Sequence, residues 1–141
     1  MGIKGPISVA DVGSGAGFPG LPMKMLKPEL MVFLIEPSRK KTAFLRYVIN
    51  KLALNGIEVV EKRVEDIESV EVDVAVTRAL YKPAEFVQKT SHIVKKNGFF
   101  VLSKGPQDKP AGEIDGMSVK VREFDLPFAD IKRVLLVISE K

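Results

Sequence analysis

The chain of 141 residues is long enough for one hydrophobic core and short for two, and its 45% apolar and 28% charged residues exclude bulk disorder. Cysteine is absent and His92 is the only histidine, which rules out a disulfide framework, a thiol nucleophile and a multi-histidine zinc site. Twenty-two Lys and Arg against eighteen Asp and Glu give a net charge of +4, a mild bias toward polyanionic partners. No apolar run is long enough to span a bilayer and the N-terminus lacks a signal-peptide core, so a cytoplasmic location without membrane contact is expected.

The apolar or β-branched runs 7–12, 31–36, 57–61, 72–77 and 99–103 have strand length. Helical patterns lie between most of them. A short helix is expected over 22–26, stopped near Pro28. A second follows Ser38 as N-cap, carries Phe44, Leu45, Val48, Ile49 and Leu52 at helical spacing, and ends at Asn55-Gly56. A third enters at Pro83, carries Phe86, Val87, Ile93 and Val94, and ends at Asn97-Gly98, with His92 on its surface or boundary.

Strands alternating with helices predict an α/β, Rossmann-like fold in a single domain over 1–141. After Ser103 the rhythm changes: 105–116 reads as a loop with room for one helical turn. The runs 119–124 and 134–138 are then joined too closely for a crossover helix. The expected sheet has about seven strands, mostly parallel with an antiparallel C-terminal pair, and helices on both faces.

The segment from Val9 to Gly20 runs a strand directly into four glycines. Without Cβ atoms such a turn adopts left-handed conformations and lets a ligand lie against the backbone, at the strand end where open α/β sheets bind ligands. Two fingerprints overlap in it. Gly15 to Gly20 fits the dinucleotide pattern G-x-G-x-x-G, whereas Asp11 to Gly17 fits the acidic-x-G-x-G-x-G turn of S-adenosylmethionine enzymes. Gly13 at the strand end and the Asp11 carboxylate favour the second, because a sulfonium, an amine and a ribose all suit acidic neighbours. Glu36, twenty-one residues beyond Gly15, stands where an acid can accept both ribose hydroxyls of either cofactor, although a charge at a strand exit is also ordinary. Glu65-Asp66 reads either as an adenine-side carboxylate or as a solvated acidic pair.

Arg39-Lys40-Lys41 sits in the first turn of its helix, where the macrodipole disfavours cations, and would border the cofactor mouth. Arg78 ends the fourth strand, where such sheets present a group to the substrate; Lys104 follows the fifth, and Arg133 opens the last.

The strings DVGSGAGFPGLP, EPSRKKTAFL, EKRVED, DVAVTRAL, KKNGFFVLSKG and RVLLVISEK occur in an order that resembles the glucose-inhibited division protein B family, the guanine-N7 methyltransferases of small-subunit ribosomal RNA. The resemblance implies a class I methyltransferase fold, S-adenosylmethionine as donor with S-adenosylhomocysteine as product, and a guanine of 16S rRNA in the 30S subunit as acceptor. It implies cofactor contacts from Asp11, Gly13, Ser14, Gly15, Ala16, Gly17, Phe18, Glu36, Val64, Glu65 and Arg78. RNA contacts fall to Arg39, Lys40, Lys104 and Arg133, and no metal is implied. The expected state is a monomer lacking the helices that family members carry ahead of the first strand. Guanine N7 has a free lone pair, so no general base is required, and Arg78 is expected to position the substrate. An NAD-dependent reductase and a catalytically silent nucleotide- or RNA-binding module are the alternatives.

Overall fold

The computed structural model describes residues 5–78, 80–105 and 113–141. Its elements are β1 (Ser8–Val12), α1 (Gly20–Leu26), β2 (Met31–Ile35), α2 (Arg39–Lys51), β3 (Ile57–Val60), β4 (Val72–Arg78), α3 (Pro83–Thr90), β5 (Val94–Lys104), β6 (Met117–Asp125) and β7 (Lys132–Glu140). One-turn 3-10 helices cover Val64–Asp66 and Ser91–Ile93. Among the described residues the strands form one seven-stranded sheet in the order β3-β2-β1-β4-β5-β7-β6. β1 to β5 run parallel, and β7 is antiparallel to both β5 and β6. The order reverses between β1 and β4, so their carboxyl ends diverge and open a crevice there.

The expected five parallel strands and the final antiparallel pair are all present. The period-2 pattern explains the last pair: Val134, Leu136 and Ile138 are buried, while Leu135 and Val137 between them are half-buried. α1 and α2 cover one face of the sheet, packing Leu21 and Leu45 against Val9, Leu34, Val74 and Val76. α3 covers the other, with Phe86 and Val87 against Ala10, Val12, Phe100, Leu102 and Leu136. Lys24 of α1 is buried and donates from Nζ to the carbonyls of Pro28 (2.7 Å) and Leu30 (2.5 Å), which fixes the chain between α1 and β2.

The third helix corrects one expectation. It ends at Thr90, whose Oγ1 donates to the Phe86 carbonyl at 2.6 Å, and a 3-10 turn leads directly into an eleven-residue β5 that contains Val94, Asn97 and Gly98. The Asn-Gly signal is real, since Asn97 has φ +66°, but the left-handed residue kinks a strand instead of capping a helix. The β4–β5 register shifts there, from Val72 opposite Val94 to Val74 opposite Phe99. A Cβ on Gly98 would lie 2.7 Å from the Asp73 carbonyl oxygen. Backbone proximity across the sheet therefore selects this glycine. Most of the expected 105–116 loop lies outside the described residues.

Gly17 shows how tightly the glycine turn is built into the core. It has φ +97°, and a Cβ there would run into the Leu21 side chain and come within 3.0 Å of a Leu45 methyl. Gly15, at φ +56°, has nothing within 4 Å of that position. Gly17→Ala is expected to cost about 3 kcal/mol through backbone strain plus overpacking, lowering Tm by about 10 °C, whereas Gly15→Ala costs about 1 kcal/mol. Calorimetric melting of both variants checks this; equal melting temperatures would contradict it.

Candidate functional site

β1 ends at Val12, and the amides of Gly13 and Ser14 both donate to the Ile35 carbonyl, at 2.8 and 3.1 Å, which turns the chain across the end of β2. The Gly17 amide donates to the Ser14 carbonyl and the Leu21 amide to that of Gly17, so the turn winds directly into α1. Thr77 Oγ1 donates to the Val12 carbonyl at 3.2 Å, tying the ends of β1 and β4 together at the switch point.

Glu36, the first residue after β2, is buried and organises both sides of the turn. Its Oε1 accepts from the Gly15 amide at 3.0 Å and its Oε2 from the Ser38 amide at 2.8 Å. Each carboxylate oxygen has a second lone pair, so two further donors can be accepted. Ser38 in turn caps α2, its Oγ accepting from the Lys41 amide at 3.4 Å.

A cleft of about 560 Å³ opens over these groups at the carboxyl edge of the sheet. Gly13, Ser14 and Gly15 form its floor, Glu36 and Pro37 one wall, Val64 and Glu65 another, and Arg78, Leu80 and Tyr81 the rim toward α3. Lys41, Lys62, Arg63 and Lys89 add four basic side chains to the lining. Ser14 Oγ is buried and has no hydrogen-bond partner among the described residues, a polar atom left for a ligand to satisfy. The residues fit a nucleoside cofactor: open backbone at Gly15, an orphaned hydroxyl and a carboxylate with spare acceptors.

The wall at Val64–Asp66 is held from α3. Lys89 Nζ lies 3.1 Å from Glu65 Oε1, and this bond keeps the Glu65 carboxyl below the usual range. Three residues further on, His92 Nε2–H donates to the Val64 carbonyl at 3.0 Å, from an exposed position on the 3-10 turn after α3. The Lys89 ammonium also stands 5.5 Å from the centroid of the Tyr81 ring, which stacks on Phe86. His92 is exposed, as the sequence predicts for a surface or boundary residue, and its bond to Val64 has no sequence signal; nor do the cleft positions of Lys89 and Tyr81, which depend on how α3 packs. Lys62 and Arg63 carry a usable signal, since they follow the end of β3 after Glu61 alone.

The motif residues divide between two sides of the backbone. Gly13, Ser14, Gly15, Glu36, Val64, Glu65 and Arg78 line the cleft. Ala16 and Phe18 face an apolar groove between α1 and α2, and Gly17 packs on Leu21. Asp11 lies beneath the turn, 1% exposed, its Oδ2 accepting from the Gly20 amide at 2.9 Å at the start of α1. It therefore holds the turn and does not line the cleft. In the basic run Lys41 lines the cleft, whereas Arg39 and Lys40 do not. Lys104 Nζ donates to the Tyr81 carbonyl at 2.7 Å, so it anchors the rim loop. Arg133 lies on β7, outside the cleft lining. No group of three or more potential metal ligands occurs among the described residues.

Burial pushes the Asp11 carboxyl up from 3.8 to about 6, opposed by the Gly20 amide and the Arg78 charge and assisted by Glu36. The folded protein thus holds this proton between about pH 4 and 6, where the unfolded chain has released it. The group favours folding fully below pH 4, and that contribution is lost as pH rises through 6. Asp11→Asn keeps an acceptor for Gly20 and removes the charge. Its stability relative to the parent chain is expected to be about 2 kcal/mol more favourable at pH 7.5 than at pH 4.5. Urea unfolding at the two pH values measures this, and parallel profiles would contradict it.

Residues 3–126 match the GidB family model, described as rRNA small subunit methyltransferase G. The Ribosomal RNA small subunit methyltransferase G of Neisseria gonorrhoeae is 37% identical over 144 residues, covering 99% of this chain and 69% of the relative. That of Thermoanaerobacter sp. is 34% identical over 151 residues, covering 98% and 63%. Among solved structures, a precorrin-6y C5,15-methyltransferase from Geobacter metallireducens superposes with TM-score 0.73 at 15% identity, over 99% of this chain and 82% of that one. A mutant of MtNAS in complex with S-adenosylmethionine gives 0.72 at 19%, over 96% and 55%. These likenesses show the fold, which is that of the class I methyltransferases, and the family match favours neither the reductase nor the silent module. The chain belongs to the GidB family, the rRNA small subunit methyltransferase G proteins.

Proposed function

We propose that the chain transfers a methyl group from S-adenosylmethionine to N7 of a guanine in 16S rRNA of the small ribosomal subunit, acting as a monomer in the cytoplasm. The observation that carries this reading is the cleft at the β1–β4 switch point, in a chain of this family, with Glu36 and the glycine turn bound to each other across its floor. When bound, the cofactor supplies a methyl on a cationic sulfur and leaves as S-adenosylhomocysteine.

The residues of the chain bind and align. Glu36 accepts the ribose hydroxyls with the lone pairs left after Gly15 and Ser38. Val64 and Glu65 border the adenine, and Gly13 to Gly15 receive the amino-acid end, with Ser14 Oγ as a donor. Asp11 sets the position of the turn from below. Guanine N7 attacks with its own lone pair, so no side chain has to remove a proton. Catalysis then comes from holding the ring in line with the breaking bond and excluding water. Arg78, exposed at the end of β4, contacts guanine O6 or an adjacent phosphate; a bidentate grip on O6 and N7 would block the nucleophile. Lys41, Lys62 and Arg63 receive backbone phosphates at the rim.

Tritium from methyl-labelled S-adenosylmethionine should pass to 30S subunits from a strain lacking this modification, and digestion should return it as 7-methylguanosine. Label recovered in another nucleoside, or in none, would refute the proposal.

A further inference from the structure

The β6–β7 hairpin sorts its charges by face. Side chains alternate along a strand, and the register places Val119, Val121 and Glu123 on the same face as the buried Ile138, Leu136 and Val134. That face belongs to the core shared with α3. The opposite face, on the α1 and α2 side, receives Lys120 opposite Val137, Arg122 opposite Leu135 and Phe124 opposite Arg133. All three cations of these strands other than Lys132 therefore fall on one face, while all three acids, Glu123, Asp125 and Glu140, fall on the other.

Lys120, Arg122 and Arg133 are exposed, and none of them forms an ion pair among the described residues. Phe124 is 41% exposed beside them. The row also has a direction. β5 ends at Lys104, which pairs with Val134, so Arg133 and Phe124 stand at the carboxyl edge where the cleft opens, and Arg122 and Lys120 lead away from it. A strip of cations that, among the described residues of β6 and β7, has no acid on its face and no ion pair, closed at the cleft end by an exposed aromatic ring, complements a phosphate backbone that offers an unstacked base.

We propose that this face of β6 and β7 is a docking track for rRNA, in which Lys120, Arg122 and Arg133 neutralise successive backbone phosphates and Phe124 stacks on a base next to the target guanine. The inference rests on the rRNA reading above. It adds a binding surface outside the cleft, and its contribution is to substrate affinity and register, since no residue of the track touches the cofactor cleft.

Two variants with the same change in net charge separate the track from bulk electrostatics. Lys120→Gln/Arg122→Gln removes two charges from the proposed track, and Lys132→Glu makes an equal change on the other face. Binding of unmethylated 30S subunits is measured against potassium chloride concentration, with S-adenosylmethionine affinity measured in parallel as a check on folding. The double variant is expected to bind 30S subunits about 10-fold more weakly and to lose about 1.5 from the slope of log K against log salt, two phosphate contacts' worth. Lys132→Glu should change the slope by less than about 0.5, and cofactor affinity should be the same in all three proteins. Equal losses in both variants, or an unaltered slope in the double variant, would overturn the track and leave that face to another partner, such as a protein surface. Failure of the parent chain to bind 30S subunits at all, with cofactor still bound, would instead bring down the rRNA reading and the track with it.

Discussion

Glu36→Ala is expected to weaken S-adenosylmethionine binding by at least about 100-fold, the largest effect of any single side chain on the cofactor. Glu36 is a buried carboxylate whose two oxygens are already engaged by the Gly15 and Ser38 amides. On the proposed reading, removing it deletes the acceptors for both ribose hydroxyls, at roughly 1.5–3 kcal/mol each for bonds to a charged group. It also leaves the Gly15 and Ser38 amides without their carboxylate partner, while the Gly13 and Ser14 amides still tie the turn to the Ile35 carbonyl. Glu36→Gln keeps one carbonyl oxygen for Gly15 and should fall between the two, about 10-fold weaker. Titration calorimetry on folded protein decides the matter; a dissociation constant for the alanine variant within threefold of the parent would show that Glu36 merely organises the turn.

Arg78→Ala should have the opposite signature: methyl transfer falling about 100-fold while cofactor affinity stays within threefold. Positioning residues act this way, because a misplacement of about 1 Å at the reacting atoms costs on the order of 100-fold without changing what the rest of the site binds. Arg78 lines the cleft from the end of β4, across from Glu36, and its charge helps to hold the Asp11 carboxyl down. Arg78→Lys retains the charge and loses the planar fork, so recovery of part of the rate would assign the residue to charge, and no recovery to geometry. Single-turnover transfer to 30S subunits, run beside calorimetry, reads both quantities. Equal loss of rate and affinity would place Arg78 in cofactor binding alone.

Wherever local periodicity and core formation agree, the architecture is legible in the residues. The alternation of Val134, Leu136 and Ile138 with half-buried neighbours, and the capping of α2 by Ser38, are local statements that packing left unchanged. Asn97-Gly98 is the counterexample. A left-handed residue followed by glycine ends a helix or kinks a strand equally well, and the choice was made by the Asp73 backbone across the sheet. The site divides in the same way. The glycine turn and Glu36 are readable because both sit at strand ends. A contiguous motif does not say which side of the backbone each residue faces, however, so Ala16, Phe18 and Asp11 lie outside the cleft although their neighbours line it. Lys89 and Tyr81 line the cleft, and His92 braces its Val64 wall, only through the packing of α3 and the turns that flank it, and Lys104 is committed to the Tyr81 carbonyl. None of these pairings has a signature in sequence spacing.

The most direct test of the central claim is a calorimetric titration of the unaltered chain with S-adenosylmethionine, S-adenosylhomocysteine and NADH in turn. The first two are expected to saturate a single site, each displacing the other, while NADH produces no heat of binding. Saturable NADH binding with no response to either sulfur compound would contradict the account at its base.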